Sequence, residues 1–283
     1  MGVASFIPEY WSAKLQTSLK KNLVYAGPTV VNRDYEGQIS QAGDTVHINS
    51  ISRPTIATYT PNSTSLTAEQ LTTAQRTLVV DQAKSFDFYV DDVDKRQASG
   101  EMLPSAVAEA AYGLADVADQ YVVSLYTGAA SANALGTIAV PTANPEYFYD
   151  KVLVPLSVAL DEANVPNEGR WVVVPPWLHG RALRDARFIK VNESGTDQGL
   201  RNGIIGRAAG FDVLKSNNAP LVTGDDYAVM AGYPGAISFA SQILETEALR
   251  STTAFADRVR GLSVYGAKLV RPTGIATAVV SAT

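Results

Sequence analysis

His47 and His179 are the two histidines of this 283-residue sequence, and no cysteine accompanies them. A histidine that binds zinc normally has a second histidine or a cysteine at a short, characteristic spacing, and neither residue has such a neighbour. The sequence also lacks a Gly-x-Ser-x-Gly nucleophile motif. We therefore interpret both histidines as structural or surface residues, and we predict a protein with no catalytic residue, metal ligand or cofactor.

Two short patterns resemble binding sites more closely. Asp91, Asp92 and Asp94 could bind a divalent cation, but we favour a solvated turn between a strand and a helix. The segment Gly203–Gly210, with the sequence GIIGRAAG, superficially resembles a phosphate-binding loop. It lacks the Lys-Ser/Thr pair of a P-loop, and its glycine spacing is not that of a dinucleotide-binding loop. We predict a tight turn there, before a strand that begins at Phe211.

Charge and targeting signals exclude other classes of protein. Lys plus Arg number 23 and Asp plus Glu 28, which gives a net charge of −5 and argues against sequence-independent nucleic-acid binding. No apolar run approaches the ~20 residues of a membrane span, and the N-terminus lacks a secretory signal. The glycosylation sequons at Asn62 and Asn192 matter only in a secretory pathway. We expect a soluble, intracellular protein.

The longest regular pattern in the chain predicts a helix over Leu103–Tyr126. Pro104 fits its first turn, and Gly128 stands where a helix commonly stops. Apolar residues recur at steps of three and four, at Leu103, Val107, Ala111, Leu114, Val117, Tyr121 and Leu125. At ~1.5 Å per residue the helix would be roughly 36 Å long, enough to form the spine of a domain.

A long polar segment precedes this helix. Alternating residues predict a strand over Gly43–Asn49 and a return strand over Thr77–Val80, and the intervening residues are mostly Ser, Thr and other polar types. A two-stranded ribbon is marginal on its own in water. We therefore predict that Gly37–Lys84 forms an arm that is stabilised by contact with another molecule.

The remaining chain alternates helices and strands, which is typical of a mixed α/β unit. We predict a helix over 8–23, a helix over 146–163 that is kinked at Pro155, a buried strand over Trp171–Val174 and a helix over Pro176–Arg187. Further strands are predicted at Phe86–Val90, Thr137–Val140, Phe211–Leu214, Tyr227–Met230, Ala236–Phe239, Val259–Val270 and Ile275–Val280.

Several stretches together resemble the major capsid proteins of tailed bacteriophages. They follow one another in the order of that family's N-terminal arm, extended loop, axial domain and returning strands. The stretches are Phe6–Gly37, Gly43–Ile48 with Phe86–Asp92, GRWVVVPP at Gly169–Pro176 with Gly203–Asn218, and RGLSVYGAKLVRP at Arg260–Pro272. The resemblance implies an α+β capsid fold, which is shared with encapsulins and herpesvirus capsid floor proteins.

The same resemblance implies a division of the chain and a function. Residues 1–36 would form the N-terminal arm, 37–84 the extended loop, 85–140 with 256–283 the peripheral domain that contains the spine helix, and 141–255 the axial domain. The chain would assemble as pentamers and hexamers into an icosahedral virion shell that encloses double-stranded DNA, without sequence-specific binding and without a membrane.

Assembly would take place in the bacterial host cytoplasm, with a portal, possibly a decoration protein and a scaffolding protein. Because the arm begins within about six residues of Met1, we expect scaffolding to be a separate protein, unless the numbered chain is already shortened. Two alternatives stay open at this point. One is an encapsulin-like shell for protein cargo, and the other is an α/β enzyme or binding protein.

Overall fold

Three β-sheets and one long helix make up the described part of the molecule. The computed structural model describes residues 24–36, 45–51, 73–91, 102–185, 206–250 and 255–282, with a few isolated positions between 54 and 70. The predicted helix over 8–23 lies outside these residues. The mixture of helices and sheets confirms the predicted α+β class. No helix in these described ranges is long and apolar enough to cross a membrane.

The predicted spine is helix α1, Met102–Ser124, which continues as a 3-10 turn over Leu125–Gly128. Its N-terminal half packs against Phe86 and Phe88, and its C-terminal half packs in a second core with Trp171. Of the predicted stripe, Val107, Ala111 and Leu114 are buried, Tyr121 and Leu125 are half-buried and Val117 is exposed, while the Leu103 side chain lies outside the described residues. The buried stripe includes Val107, Ala111, Leu114, Ala115, Ala118 and Val122.

The first core, where Phe86 and Phe88 pack against the N-terminal half of α1, belongs to a three-stranded antiparallel sheet. Its strand order is β10-β11-β3. Its strands are β3, Gln82–Asp91, β10, Ile237–Arg250, and β11, Ala256–Leu269. Strand β10 extends well beyond the predicted Ala236–Phe239, because it pairs with β11 along most of its length. The base of this β10/β11 hairpin, with Phe239 and Tyr265, is part of the second core.

The second core lies between the spine helix, the base of the β10/β11 hairpin and one face of a seven-stranded mixed sheet. The strand order of this sheet is β4-β12-β9-β5-β7-β6, with β8 paired to β9. The β5/β7 and β4/β12 pairs are parallel. As predicted, β5 is a buried strand, with all four residues inaccessible to solvent. The bounds are β4, Ala134–Ala139; β5, Trp171–Val174; β6, Arg207–Ala208; β7, Phe211–Lys215; β8, Leu221–Thr223; β9, Asp226–Gly232; and β12, Ile275–Ser281.

Two short helices cover this sheet. The predicted 146–163 helix is a π-helical turn over Phe148–Leu153 followed by α2, Val154–Glu162. The change falls next to Pro155, which has no N–H for the α-helical bond pattern. Helix α3 covers only Pro176–Ala182, so the prediction of a helix up to Arg187 was too long.

The sheet pairing divides the chain differently from the sequence-based boundaries. Strands β4 and β12, which pair with each other, both fall within the ranges assigned to the peripheral domain. Strand β12 also pairs with β9, however, which falls within the range assigned to the axial domain. Strand β10 falls within the range assigned to the axial domain, yet it pairs with β11. Sequence order alone could not supply these long-range partners.

Candidate assembly surfaces

The predicted arm is a hairpin of β1, Thr45–Ile51, and β2, Thr73–Val79. The strands are antiparallel and form a sheet of their own. Among the hairpin residues that the structure describes, the buried ones lie at its base, where Leu78 and Val46 pack with Val264 of β11. Farther out, the isolated position Ile56 is 88% exposed. The hairpin therefore leaves the core of its own subunit.

The base of the hairpin crosses directly over β11. A side chain at Gly266 would overlap the carbonyl oxygen of Val79 and lie 2.9 Å from the Cα of Val80. Because these obstructing atoms are backbone, only glycine fits at this crossing. The Tyr121 hydroxyl of the spine helix adds a hydrogen bond to Asp81, at 3.1 Å. The start of the hairpin is thus fixed to β11 and to the spine helix.

One face of the three-stranded sheet presents a ladder of charges. Arg258 pairs with Asp87, and Arg260 pairs with Glu247. The hydrogen bond from Arg258 holds the pKa of the Asp87 carboxyl below its usual value. These pairs are solvent-exposed, and exposed pairs contribute little to stability. The opposite face carries Phe86 and Phe88, which pack on the spine helix.

Large apolar side chains mark the free end of this sheet. Phe255, which immediately precedes β11, is 83% exposed, and Tyr89 on the edge strand β3 is also exposed. Leu249 of β10 lies in the same cross-strand row as Tyr89, with Arg258 between them. Exposed apolar groups gathered at one place are typical of a surface that contacts another protein.

The base of the N-terminal arm is held by one buried carboxylate. Asp119 of the spine helix is 2% exposed, and its Oδ1 accepts hydrogen bonds from the backbone amides of Val24, Tyr25 and Ala26, at 3.0, 2.5 and 3.2 Å. Its Oδ2 accepts a bond from the Asn218 side chain, at 3.0 Å. Burial raises the pKa of Asp119, while these donors oppose the shift. Sequence reasoning missed this residue, because Asp119 lies off the predicted apolar stripe, where an acid is expected to face solvent.

The histidines singled out in the sequence lie in different parts of the fold. His47 is exposed on β1, in the hairpin, while His179 is half-buried on α3, beside the seven-stranded sheet. Burial and the nearby charge of Lys215 lower the pKa of His179. The structure does not bring the two histidines together in one site.

The other candidate motifs are only partly within the described residues. Asp91 ends β3, while Asp92, Asp94 and both sequons lie outside them. Among the described residues, no group of three or more His, Asp or Glu side chains could hold a metal ion. The described end of the glycine-rich segment is a tight turn, as predicted: Ala209 and Gly210 both have positive φ and join β6 to β7.

The fold and sequence agree with those of phage capsid proteins. A family model described as "Phage capsid protein" matches residues 72–278, well over half of the chain. A solved structure from Mycobacterium phage Che8 is 35% identical with a TM-score of 0.71, and the match covers 92% of this chain and 91% of that one. A search of curated proteins finds no match.

More distant structures share the fold. A structure described as the capsid of Cyanophage P-SCSP1u is 15% identical with a TM-score of 0.66, over 87% of this chain and 85% of that one. A virus-like particle from Pyrococcus furiosus is 12% identical with a TM-score of 0.56, over 97% of this chain and 99% of that one. The chain is therefore a major capsid protein of a tailed phage, a structural protein that belongs to the phage capsid protein family.

Proposed function

We propose that the chain assembles as pentamers and hexamers into a closed icosahedral shell around double-stranded DNA. The observation that carries this proposal is the β1/β2 hairpin, whose base is buried in its own subunit while the described position near its end, Ile56, is almost fully exposed. A two-stranded sheet of this kind is marginal in isolation. Contact with a neighbouring subunit would cover it.

The charge distribution fits a container wall for DNA. The net charge is −5, and the solvent-exposed side of the spine helix carries Glu109 and the partly exposed Asp116. Such a surface lacks the dense cationic footprint that holds nucleic acid non-specifically. The enclosed DNA would therefore be confined without sequence-specific contact.

We also infer a division of the subunit that follows the sheets. The seven-stranded sheet would form the axial domain, to which β4 and β12 are added. The three-stranded sheet would form the peripheral domain, and the spine helix packs against both. Residues 1–36 and 37–84 remain our proposed arm and extended loop. A separate scaffolding protein, a portal and possibly a decoration protein would complete assembly in the host cytoplasm.

Replacing residues 54–70 by a short Gly-Ser linker tests the role of the hairpin. We expect soluble, folded subunits, because Leu78 and the rest of the buried base are retained, and we expect no closed particles by negative-stain electron microscopy. Circular dichroism and size-exclusion chromatography would establish that the variant is folded. Closed particles of normal diameter from this variant would contradict the proposed role.

A further inference from the structure

Asn218 joins the Asp119 site to the seven-stranded sheet. It lies in the turn between β7 and β8, and its Nδ2 donates to Asp119 Oδ2 at 3.0 Å and to Asp116 Oδ1 at 2.7 Å. One amide group thus serves two carboxylates that are less than one helical turn apart. Without that donor the two acids would face each other with part of their hydrogen bonding unmet, which is costly where water has little access.

Asp119 in turn orders the beginning of the arm base, residues 24–36. Three successive backbone amides point at a single carboxylate oxygen, which forms a small anion-binding concavity. Hydrogen bonds to an ionised acceptor are roughly twice as strong as those between neutral groups. This end of the segment is therefore held by the charge of one side chain, in addition to the burial of Tyr25 and Ala26 in the second core.

The other end of the arm base is held in a different way. Asn32 exchanges backbone hydrogen bonds with β10, donating to Ile237 at 2.8 Å and accepting from Phe239 at 2.9 Å. Arg33 stacks over the Phe239 ring, at 5.1 Å from its centroid. This anchor resembles ordinary strand pairing and involves neither Asp119 nor Asn218. Arg33 Nε also donates to the Ala26 carbonyl oxygen, at 3.1 Å, so the two ends are linked, but the pairing of Asn32 with β10 uses neither latch residue.

We propose that Asp119 and Asn218 form a latch that couples the beginning of the arm base to the β7–β8 turn. The side chain of Asn218 fixes the Asp119 carboxylate, and the carboxylate fixes the amides of residues 24–26. The position of residues 24–26 is thus set by the seven-stranded sheet, and displacement of the turn releases these residues. This coupling is a property of the single subunit and goes beyond shell formation.

Amide hydrogen exchange on the soluble full-length subunit, read by NMR or by overlapping peptides, tests the latch. Asp119→Asn should accelerate exchange at residues 24–26 roughly tenfold or more, because charge-assisted bonds are lost. Asn218→Ala should also accelerate exchange at these positions, although the Asn218 side-chain amide donates to the two carboxylates and not to residues 24–26. Gln120→Ala is the matched control, because Gln120 donates to Asp116 and not to Asp119.

Amides in the centre of β9 serve as the reference for global stability. Faster exchange at residues 24–26 with unchanged exchange in β9 and at residues 32–33 supports the latch. Unchanged protection of residues 24–26 in the Asn218→Ala variant would overturn the coupling, even if Asp119→Asn releases the segment. An equal acceleration in β9 would also overturn it, because the side chains would then stabilise the whole fold.

Discussion

Leu78→Ala should loosen the base of the hairpin and destabilise the subunit. The Leu78 side chain is fully buried, at 0% exposure, and packs with Val46, Val80, Ala240 and Val264. Truncation of a buried leucine to alanine costs about 2–5 kcal/mol, from lost transfer energy and from the cavity left behind. Set against the roughly 5–15 kcal/mol by which a typical domain is stable, this is a large fraction.

The neighbouring residue supplies a matched control. Val79 follows Leu78 on β2 but is 42% exposed, so Val79→Ala should change the free energy of unfolding by less than about 0.5 kcal/mol. Urea unfolding of soluble subunits, followed by tryptophan fluorescence, measures both values. Equal effects of the two substitutions would refute the view that Leu78 seats the hairpin on β11.

Other predictions follow from the spine helix, the charge ladder and the arm. Leu114→Asp places an unpaired charge in a buried face and should abolish soluble folded protein, whereas Val117→Asp, at an exposed position of the same helix, should not; soluble yield and circular dichroism decide. Arg258→Ala should raise the pKa of Asp87 in an NMR titration. A carboxyl whose pKa is lowered by folding stabilises the protein above the pKa it has in the unfolded chain, and this stability is lost as the pH falls, so the variant should lose less stability on acidification. An unmoved Asp87 titration would contradict this. Residues 44–83 contain no lysine, so the hairpin offers no side-chain amine that could form a covalent bond to a neighbouring subunit. Mature particles boiled in detergent should therefore give a single band at the monomer mass on a denaturing gel, whereas a ladder of multimers would show covalent links between subunits.

Local patterns predicted the elements that depend on one segment of chain. The three- and four-residue spacing identified the spine helix because its buried side repeats with the helical turn. The apolar run Trp171–Val174 identified a central strand because both of its faces are buried. The turn at Ala209 and Gly210 followed from glycine chemistry.

Features that depend on partners distant in sequence could not be predicted in this way. Nothing local distinguishes a strand that pairs with β9 from one that pairs with β11, so the sheet partners of β12 and β10 could not be predicted. Asp119 resembles an ordinary surface acid until the arm base and Asn218 are brought to it. Val117 fits the apolar spacing, yet it lies just outside the surface that the two sheets cover.

Electron cryomicroscopy of particles formed by the chain, expressed with and without its neighbouring genes, tests the central claim most directly. We expect closed shells of pentamers and hexamers in which residues 45–79 of one subunit lie against the next subunit and Ile56 is covered. Shells in which this hairpin folds back on its own subunit, or a chain that stays monomeric under every assembly condition, would contradict it.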